Sequence, residues 1–295
     1  MDTAQLSRIA TAKGFVAALD QSGGSTPGAL ARYGIPAQAY SGDAEMFDLI
    51  HAFRTRIMTS SVFSGDKILA AILFEQTMDR DIDDVPVPDY LWDAKEIVPF
   101  LKVDKGLAEA ADGVRVMKPM PDLDALLERG LARHVFGTKM RSLVQAGNQA
   151  GIDAILDQQF EVGARILAAG LMPILEPEVD ITAPDKPVAE AMVTAGILDR
   201  LATLPEGTQV MLKLTIPTEA NLYADLISHP AVLRVVALSG GYSREEANRL
   251  LAANQGLIAS FSRALTEGLR VDMSDAEFDA ALASSIGSIY AASIT

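Results

Sequence analysis

A lysine lies at the centre of an otherwise apolar, strand-like segment of the sequence. The segment is Val210–Ile216 (VMLKLTI), and the lysine is Lys213. A buried ammonium group is normally paired with an opposite charge or gives up its proton. Apolar neighbours and a second lysine close by, Lys139, would favour the neutral amine, which can attack a carbonyl and form a Schiff base. The segment therefore predicts a lysine nucleophile, beside the plainer interpretation of a paired structural lysine.

Other charged and polar residues stand where strand-like segments end. They are Asp20, Lys102, Asp104, Lys139, Arg141, Glu176, Glu178, Ser239, Gly240, Gly241 and Arg263. Each one alone is explained equally well as a surface residue, a structural ion pair or a turn. Together they predict one site, provided that the strand ends converge.

The residue types at this site suggest how the chemistry could be divided. Glu176 could move the protons that Schiff-base formation requires, and Asp20 could act as a second base on a substrate hydroxyl. The N–H groups of Gly240 and Gly241, with Arg263, suit a phosphate group.

Eight strand-like segments, separated by helical patterns, must position these residues. They are Phe15–Asp20, Leu69–Phe74, Val98–Val103, Phe136–Ser142, Leu171–Glu178, Val210–Ile216, Val232–Gly240 and Gly256–Ser262. Eight βα units in 295 residues predict an α/β fold, a TIM (β/α)8 barrel, formed as a single domain over residues 1–295. An open doubly wound sheet is the alternative, but Asp20–Ser25 (DQSGGS) lacks the glycine spacing of a dinucleotide site.

Two of the connecting helices have recognisable sequence patterns. Apolar residues at helical spacing between Ile152 and Ile166 predict one helix. A capping-box pattern at Ser243–Glu246 (SREE) predicts the start of another, which runs through Leu251.

Composition limits the class of protein. A net charge of −14 argues against a nucleic-acid partner, and no apolar run approaches the length of a membrane span. The absence of cysteine excludes disulfides and thiolate chemistry, and with no secretory leader the expected location is cytoplasmic. His51, His134 and His229 lack metal-ligand spacing, so we expect neither a metal nor another cofactor, although a site made only of carboxylates stays conceivable.

The sequence resembles the class I fructose-bisphosphate aldolases over most of its length, from Ala17 to Leu265. The motifs that carry the resemblance are Ala17–Ser22 (AALDQS), Leu73–Thr77 (LFEQT), Leu101–Gly106 (LKVDKG), Lys139–Arg141 (KMR), Pro173–Glu178 (PILEPE), Leu212–Lys213 (LK), Leu238–Gly241 (LSGG) with Glu245–Ala247 (EEA), and Phe261–Leu265 (FSRAL). The short chain resembles the compact bacterial branch of the family. The resemblance implies metal-independent, reversible cleavage of fructose 1,6-bisphosphate to dihydroxyacetone phosphate and glyceraldehyde 3-phosphate.

By the same resemblance, each candidate residue has an implied role. Lys213 would form the Schiff base, Glu176 would be its acid and base, and Asp20 would assist C3–C4 cleavage at the C4 hydroxyl. Lys139 would be the positive charge beside the reacting carbons, and Glu178 would orient the surrounding side chains. The binding residues would be Lys102 and Arg141 as contacts to substrate hydroxyl and phosphate groups, Ser239, Gly240 and Arg263 as the phosphate site nearest the Schiff base, and Ser25 as part of the distal phosphate site.

The sequence also departs from the family pattern. Gln21 stands where a glutamate is usual, Met140 where a tryptophan is usual, and Ser262 where a glycine is usual. Animal members carry a Lys-Arg pair in the stretch that here reads Gly28–Arg32, so the part played by Arg32 stays open. They also end in a tyrosine that reaches the active site, a role we do not assign to Tyr290.

Two alternative functions remain open at this stage. One is another Schiff-base barrel lyase, or a transaldolase-like enzyme, acting on a different sugar phosphate. The other is a non-catalytic binding barrel, although such a protein should have lost its lysine and carboxylates. A homo-oligomer is possible, but the sequence names no interface.

Overall fold

Eight parallel strands form a closed barrel in the computed structural model, which describes residues 1–22 and 24–295. Gly23, in the glycine-containing segment after the first strand, lies outside the described residues. The barrel strands are β1 Phe15–Leu19, β2 Ile68–Leu73, β3 Val98–Lys102, β4 Gly137–Val144, β5 Met172–Val179, β6 Val210–Thr215, β7 Val232–Leu238 and β8 Ile258–Phe261. Each predicted strand lies within two residues of an observed one at both ends.

Each strand pairs in parallel with the next, and the last strand closes the ring on the first. The closure is the pairing of Val16 in β1 with Ser260 in β8. The predicted TIM barrel is confirmed, and the open doubly wound sheet is excluded because such a sheet leaves two unpaired edges.

Helices surround the barrel. They are α1 Thr3–Thr11, α2 Thr26–Tyr33, α3 Gly42–Thr59, α4 Glu75–Met78, α5 Val87–Asp89, α6 Leu123–Ala132, α7 Gln149–Ala168, α8 Lys186–Leu201, α9 Ala224–Ser228, α10 Arg244–Leu251, α11 Arg263–Thr266 and α12 Asp275–Ser293, with a 3-10 turn at Ala37–Ala39 and a π-helical turn at Tyr90–Ala94. Short strands also pair at Asp81–Ile82 with Val85–Pro86, and Val114–Arg115 adds to the edge of β4. Among the described residues, no helix is long and apolar enough to cross a membrane.

Two helix starts differ from what the sequence pattern predicts. Ser243 caps α10 by accepting a hydrogen bond from the Glu246 N–H, but Glu246 turns to Arg249 instead of completing the capping box. The reciprocal capping box forms at α12, between Ser274 and Glu277. An available guanidinium one turn away competes successfully for the first glutamate.

The two-residue repeat of the strands decides which side chains reach the barrel interior. Val16 and Ala18 of β1 belong to the interior cluster, whereas Phe15, Ala17 and Leu19 pack against the helices. Phe100 of β3, Ile174 of β5 and Met211 of β6 also lie in the interior. Side chains two residues apart on a strand point the same way. The residues two positions after Ala18, Phe100, Ile174 and Met211 therefore also point inward, and they are Asp20, Lys102, Glu176 and Lys213.

Candidate active site

A cavity of about 1000 Å³ opens at the carboxyl end of the barrel. Of the predicted residues, Gly241 does not line it, whereas Asp104 and the eleven residues with an implied role do, and these eleven are Asp20, Ser25, Lys102, Lys139, Arg141, Glu176, Glu178, Lys213, Ser239, Gly240 and Arg263. The structure brings these residues together around one cavity, and their membership of an active site and their individual roles stay predictions.

Lys139 lies at the centre of the buried charges. Its Nζ is 2.7 Å from Asp20 Oδ2, 2.9 Å from Glu176 Oε2 and 3.8 Å from Asp104 Oδ2. One ammonium group therefore faces three carboxylates that come from the ends of β1, β5 and β3. Such a cluster is stable only as a unit, because each charge has little contact with water.

Lys213 shares one of these carboxylates. Its Nζ lies 3.0 Å from Glu176 Oε1, and both side chains are buried. The sequence pattern placed Lys213 among apolar strand neighbours, and the fold adds a carboxylate from the adjacent strand β5. Its second oxygen, Glu176 Oε2, lies 2.9 Å from Lys139 Nζ, so one carboxylate bridges the two lysines.

The buried charges shift each other's pKa values in opposite directions. Burial raises the pKa of Asp20, but the charges of Lys139 and Lys213 outweigh it and hold the pKa well below the ordinary value. Burial lowers the pKa of Lys139, and the carboxylates of Asp20 and Glu176 outweigh it and raise the pKa well above the usual range. Asp20 is therefore a carboxylate and Lys139 an ammonium group at neutral pH.

Asp104 is a site residue that our sequence-based selection noted at a strand end but did not assign a role. It contacts Lys102 Nζ at 2.7 Å and accepts the backbone N–H groups of Gly106 and Arg141, each at 3.2 Å. Burial raises the pKa of Asp104, but the charges of Lys139 and Lys102 outweigh it and lower the pKa. Asp104 thus fixes the start of the loop after β3 against the middle of β4.

Arg141 and Glu178 form a further pair on β4 and β5. Arg141 Nε donates to Glu178, and although burial opposes the effect, this hydrogen bond and charge raise the pKa of Arg141. The pair is less buried than the central cluster, so it lies between that cluster and the cavity mouth.

The loop after β7 has the backbone shape that the glycines allow. Gly240 and Gly241 have φ angles of 59° and 126°, in the left-handed region that favours glycine. A Cβ on Gly240 would lie 2.4 Å from the side chain of Ile181. Arg263 is close by, since a Cβ on Gly241 would lie 3.3 Å from its guanidinium group.

Arg32, whose part the sequence left open, also lines the cavity. Partial burial and then the neighbouring charge of Arg263 lower its pKa. Two like charges therefore face each other here, and neither has a carboxylate within 4.0 Å in the part of the chain that the structure describes.

Ser25 reaches the cavity rim, but its hydroxyl group is engaged within its own turn. It accepts the N–H of Ser22 at 3.1 Å and donates to the carbonyl of Ser22 at 3.2 Å.

A hydrogen-bond relay behind the cavity, through Arg54 of α3, was not foreseen from the sequence. Arg54 is 1% exposed and donates to Thr77 Oγ1 at 2.8 Å, to the carbonyl of Gln21 and to Gln21 Oε1. The Gln21 amide in turn donates to Ser262 Oγ at 2.7 Å. The relay connects the residue after Asp20 to the residue before Arg263, and an arginine within an apolar helical face was its only sequence signal.

The three histidines lie away from the strand ends, as expected. His51 is in α3, His134 follows α6 and His229 follows α9. Over residues 1–22 and 24–295, no three histidine or carboxylate side chains are grouped to hold a metal ion.

Comparison with known proteins gives a consistent result. No protein-family model matches the chain. It is 60% identical over 291 residues to the class 1 fructose-bisphosphate aldolase of Synechocystis sp., covering 99% of this chain and 97% of the relative. The enzymes of the same name from Porphyromonas gingivalis and Clostridium acetobutylicum are 56% and 54% identical, each with full coverage of both chains.

A solved structure shares the fold. It is fructose-bisphosphate aldolase of Plasmodium falciparum in complex with TRAP and a small-molecule inhibitor, with a TM-score of 0.76 and 22% identity, covering 98% of this chain and 93% of that one. With the convergent lysines and carboxylates, identity above 50% along the whole length shows that this chain belongs to the class 1 fructose-bisphosphate aldolase family.

Proposed function

We propose that this chain, acting as one catalytic domain over residues 1–295, reversibly cleaves fructose 1,6-bisphosphate to dihydroxyacetone phosphate and glyceraldehyde 3-phosphate through a Schiff base on Lys213. The observation that carries the proposal is the contact of Lys213 Nζ with Glu176, 3.0 Å away, between two buried side chains that line the cavity at the carboxyl end of the barrel. A nucleophile and its proton acceptor are already within contact distance.

Schiff-base formation begins with proton transfer from the Lys213 ammonium group to Glu176. The neutral amine then attacks the C2 carbonyl carbon of the substrate, and a proton moves from the attacking nitrogen to the carbonyl oxygen to give a carbinolamine. Glu176 returns its proton to this hydroxyl group, which leaves as water, and the C2 carbon becomes a protonated imine. Lys139 keeps its own proton throughout, since three carboxylates surround it, and its charge lies beside the reacting carbons.

Cleavage requires a base for the C4 hydroxyl group, and we assign it to Asp20. Its low pKa ensures that it carries no proton when substrate arrives. As the C4 hydroxyl proton moves to Asp20, the C3–C4 bond breaks and its electron pair enters the protonated imine, giving an enamine and glyceraldehyde 3-phosphate. The proton held by Asp20 then returns to C3, which restores the Asp20 carboxylate, and water hydrolyses the imine to release dihydroxyacetone phosphate and free Lys213.

One phosphate group of the substrate is assigned to the loop after β7. The N–H groups of Gly240 and Gly241, the hydroxyl group of Ser239, and the two unpaired arginines Arg263 and Arg32 offer donors and positive charge. The mutual repulsion of the arginines would be relieved by a bound dianion. Lys102 and Arg141 remain assigned to contacts with the hydroxyl and phosphate groups of the substrate, and Glu178 to orienting the surrounding side chains.

The test is a cleavage assay with fructose 1,6-bisphosphate, on the parent chain and on Lys213→Met. We expect the variant to lose about a thousand-fold or more in kcat, and the parent to keep its activity in EDTA, because the imine supplies the electron sink. Lys67→Met, an exposed lysine outside the cavity, is the control and should behave like the parent. Loss of parental activity in EDTA, or an active Lys213→Met variant, would contradict the proposal. Cytoplasmic residence and homo-oligomer formation stay predictions.

A further inference from the structure

The backbone pairing between strands β5 and β6 stops before their carboxyl ends. Its last position joins Leu175 to Leu212. On its other side β5 pairs with β4 as far as its last residue, and β6 likewise pairs with β7 as far as its last residue. Glu176 and Lys213 lie one position beyond the point where β5 and β6 part. Over the described residues, therefore, no further backbone pairing fixes the spacing of the two strands where the nucleophile faces its carboxylate.

A side chain joins the two strands again just beyond this pair. Thr215 Oγ1 accepts the Val179 N–H at 2.9 Å and donates to the Val179 carbonyl at 2.6 Å. We call these two bonds the threonine clamp. Thr215 and Val179 are both buried, so removal of the hydroxyl group would take this partner from two backbone groups that lie away from water.

The carboxyl end of β6, from which the clamp acts, is itself held in place. The buried Tyr223 hydroxyl group donates to the Thr215 carbonyl at 2.9 Å, and burial and the charge of Glu190 raise the pKa of Tyr223, so it stays a neutral donor. Glu190 Oε2 also accepts the Thr218 N–H at 3.0 Å, and Lys186 Nζ donates to the Thr218 hydroxyl group at 2.9 Å. The segment after β6 is thus anchored to α8.

The clamp bears on the site without reaching the substrate cavity. Glu176 and Lys213 line the cavity, whereas Thr215 does not. The contact of 3.0 Å between Lys213 Nζ and Glu176 Oε1 requires β5 and β6 to stay at the spacing of paired strands, about 4.8 Å. Separation by about 1 Å more would make that contact too long for direct proton transfer.

We propose that Thr215 is a positioning residue, which holds β5 against β6 so that Lys213 stays within proton-transfer distance of Glu176 and thereby sets the rate of Schiff-base formation. This inference rests on the proposed role of Lys213. Serine could make both bonds of the clamp, whereas valine has the shape of threonine and could make neither.

The experiment measures the rate of imine formation in the parent, in Thr215→Val and in Thr215→Ser. Each protein is mixed with dihydroxyacetone phosphate and sampled into borohydride at successive times, and the fraction of reduced adduct is read from the intact mass. We expect Thr215→Val to form the imine about 10- to 100-fold more slowly, as for a displacement of about 1 Å at a reacting group. Thr215→Ser should stay within about threefold of the parent, because its hydroxyl group restores both bonds.

Two further variants and a binding measurement separate positioning from general damage. Thr138→Val alters another buried threonine on a barrel strand, one whose hydroxyl group has no hydrogen-bond partner among the described residues, and should form the imine at the parental rate. Tyr223→Phe removes one bond that supports the clamp and should slow imine formation about two- to tenfold. The constant for inhibition of bisphosphate cleavage by inorganic phosphate should stay within about twofold of the parental value in every variant, because the phosphate contacts lie on other strands.

Several results would overturn the inference. Imine formation at the parental rate in Thr215→Val would show that the clamp is not needed, and equal slowing in Thr215→Ser would assign the effect to packing of the methyl group. A rise in the phosphate inhibition constant as large as the loss of rate would indicate general damage to the site. If Thr215→Val does not fold, Tyr223→Phe decides, and a parental rate in that variant contradicts the proposal. Failure of the proposed function is recognised separately, because the parent itself would then form no imine.

Discussion

Replacing Lys139 by methionine tests the electrostatic account of the buried cluster. The change removes the contact of 2.7 Å to Asp20 and the contact of 2.9 Å to Glu176, and it leaves Asp20 without its nearest cation. Removal of one partner from a buried ion pair costs about 3–5 kcal/mol. The Asp20 side chain is 11% exposed toward the cavity, so we expect the lower end of this range, about 3 kcal/mol in the free energy of unfolding at pH 7.

Urea unfolding, followed by the fluorescence of the single tryptophan, Trp92, measures this loss. Trp92 packs against the interior cluster of the barrel, so its signal reports unfolding of the whole barrel. A loss of about 3 kcal/mol corresponds to a fall of roughly 1 M in the urea midpoint. Kcat should fall as well, because the positive charge beside the reacting carbons is lost.

The effect should depend on pH in a defined direction. A carboxyl group whose pKa is lower in the folded chain stabilises the fold above its unfolded pKa, and this contribution is lost as the pH falls. Asp20 and Asp104 are such groups, with an ordinary value of 3.8. The parent therefore loses stability below about pH 5. Without Lys139 the pKa of Asp20 rises, so acid removes less of the variant's stability than of the parent's. The difference in the free energy of unfolding between the two proteins therefore narrows toward pH 4.

A double variant and a surface control complete this experiment. Adding Asp20→Asn to Lys139→Met removes the carboxylate that the first change leaves without a cation, and it should recover a substantial part of the lost free energy of unfolding. Lys67→Met should leave the urea midpoint unchanged. Two results would refute the reasoning. One is a urea midpoint of Lys139→Met equal to that of the parent, and the other is a difference in the free energy of unfolding that stays constant between pH 7 and pH 4.

Three further predictions concern residues around the cluster. Arg54→Met removes the hydrogen bonds that hold Gln21 and Thr77, and we expect bisphosphate cleavage to slow about tenfold while Schiff-base trapping by dihydroxyacetone phosphate persists; equal loss in both assays would indicate general damage. Gly240→Ala forces a Cβ into Ile181 on a left-handed backbone, so KM should rise about tenfold, and an unchanged KM would argue against phosphate binding at this loop. Ser274→Ala removes the cap of α12 and should lower the free energy of unfolding by about 1 kcal/mol, measured from the urea midpoint, with kcat unchanged; a large loss of activity would be unexpected.

The barrel and the position of the site could be predicted from the sequence because both depend on local patterns. Strand-length apolar segments repeat eight times, and the alternation along a strand carries Asp20, Lys139 and Lys213 to the same rim. Closure of the barrel alone brings these residues together, so their convergence could be predicted without knowing any side-chain contact. The resemblance to a known family then suggested the division of roles among them.

The contacts between neighbouring strands could not be predicted, because they depend on register. The sequence places Lys213 among apolar residues, and only the pairing of β5 with β6 brings Glu176 within 3.0 Å. The hydrogen bond from the Gln21 side chain, which Arg54 also contacts, to Ser262 Oγ joins residues more than 200 positions apart. Arg115 and Lys118, which also line the cavity, were missed for a similar reason, since nothing in the local sequence shows that they reach it.

The most direct test of the central claim is covalent trapping of the enzyme. The parent chain is mixed with dihydroxyacetone phosphate and borohydride, digested, and examined by peptide mass spectrometry. Our account predicts a single reduced adduct on Lys213, because this amine lies beside Glu176, which can remove its proton, whereas Lys139 is held as an ammonium group by three carboxylates. An adduct on Lys139, or no adduct at all, would contradict it.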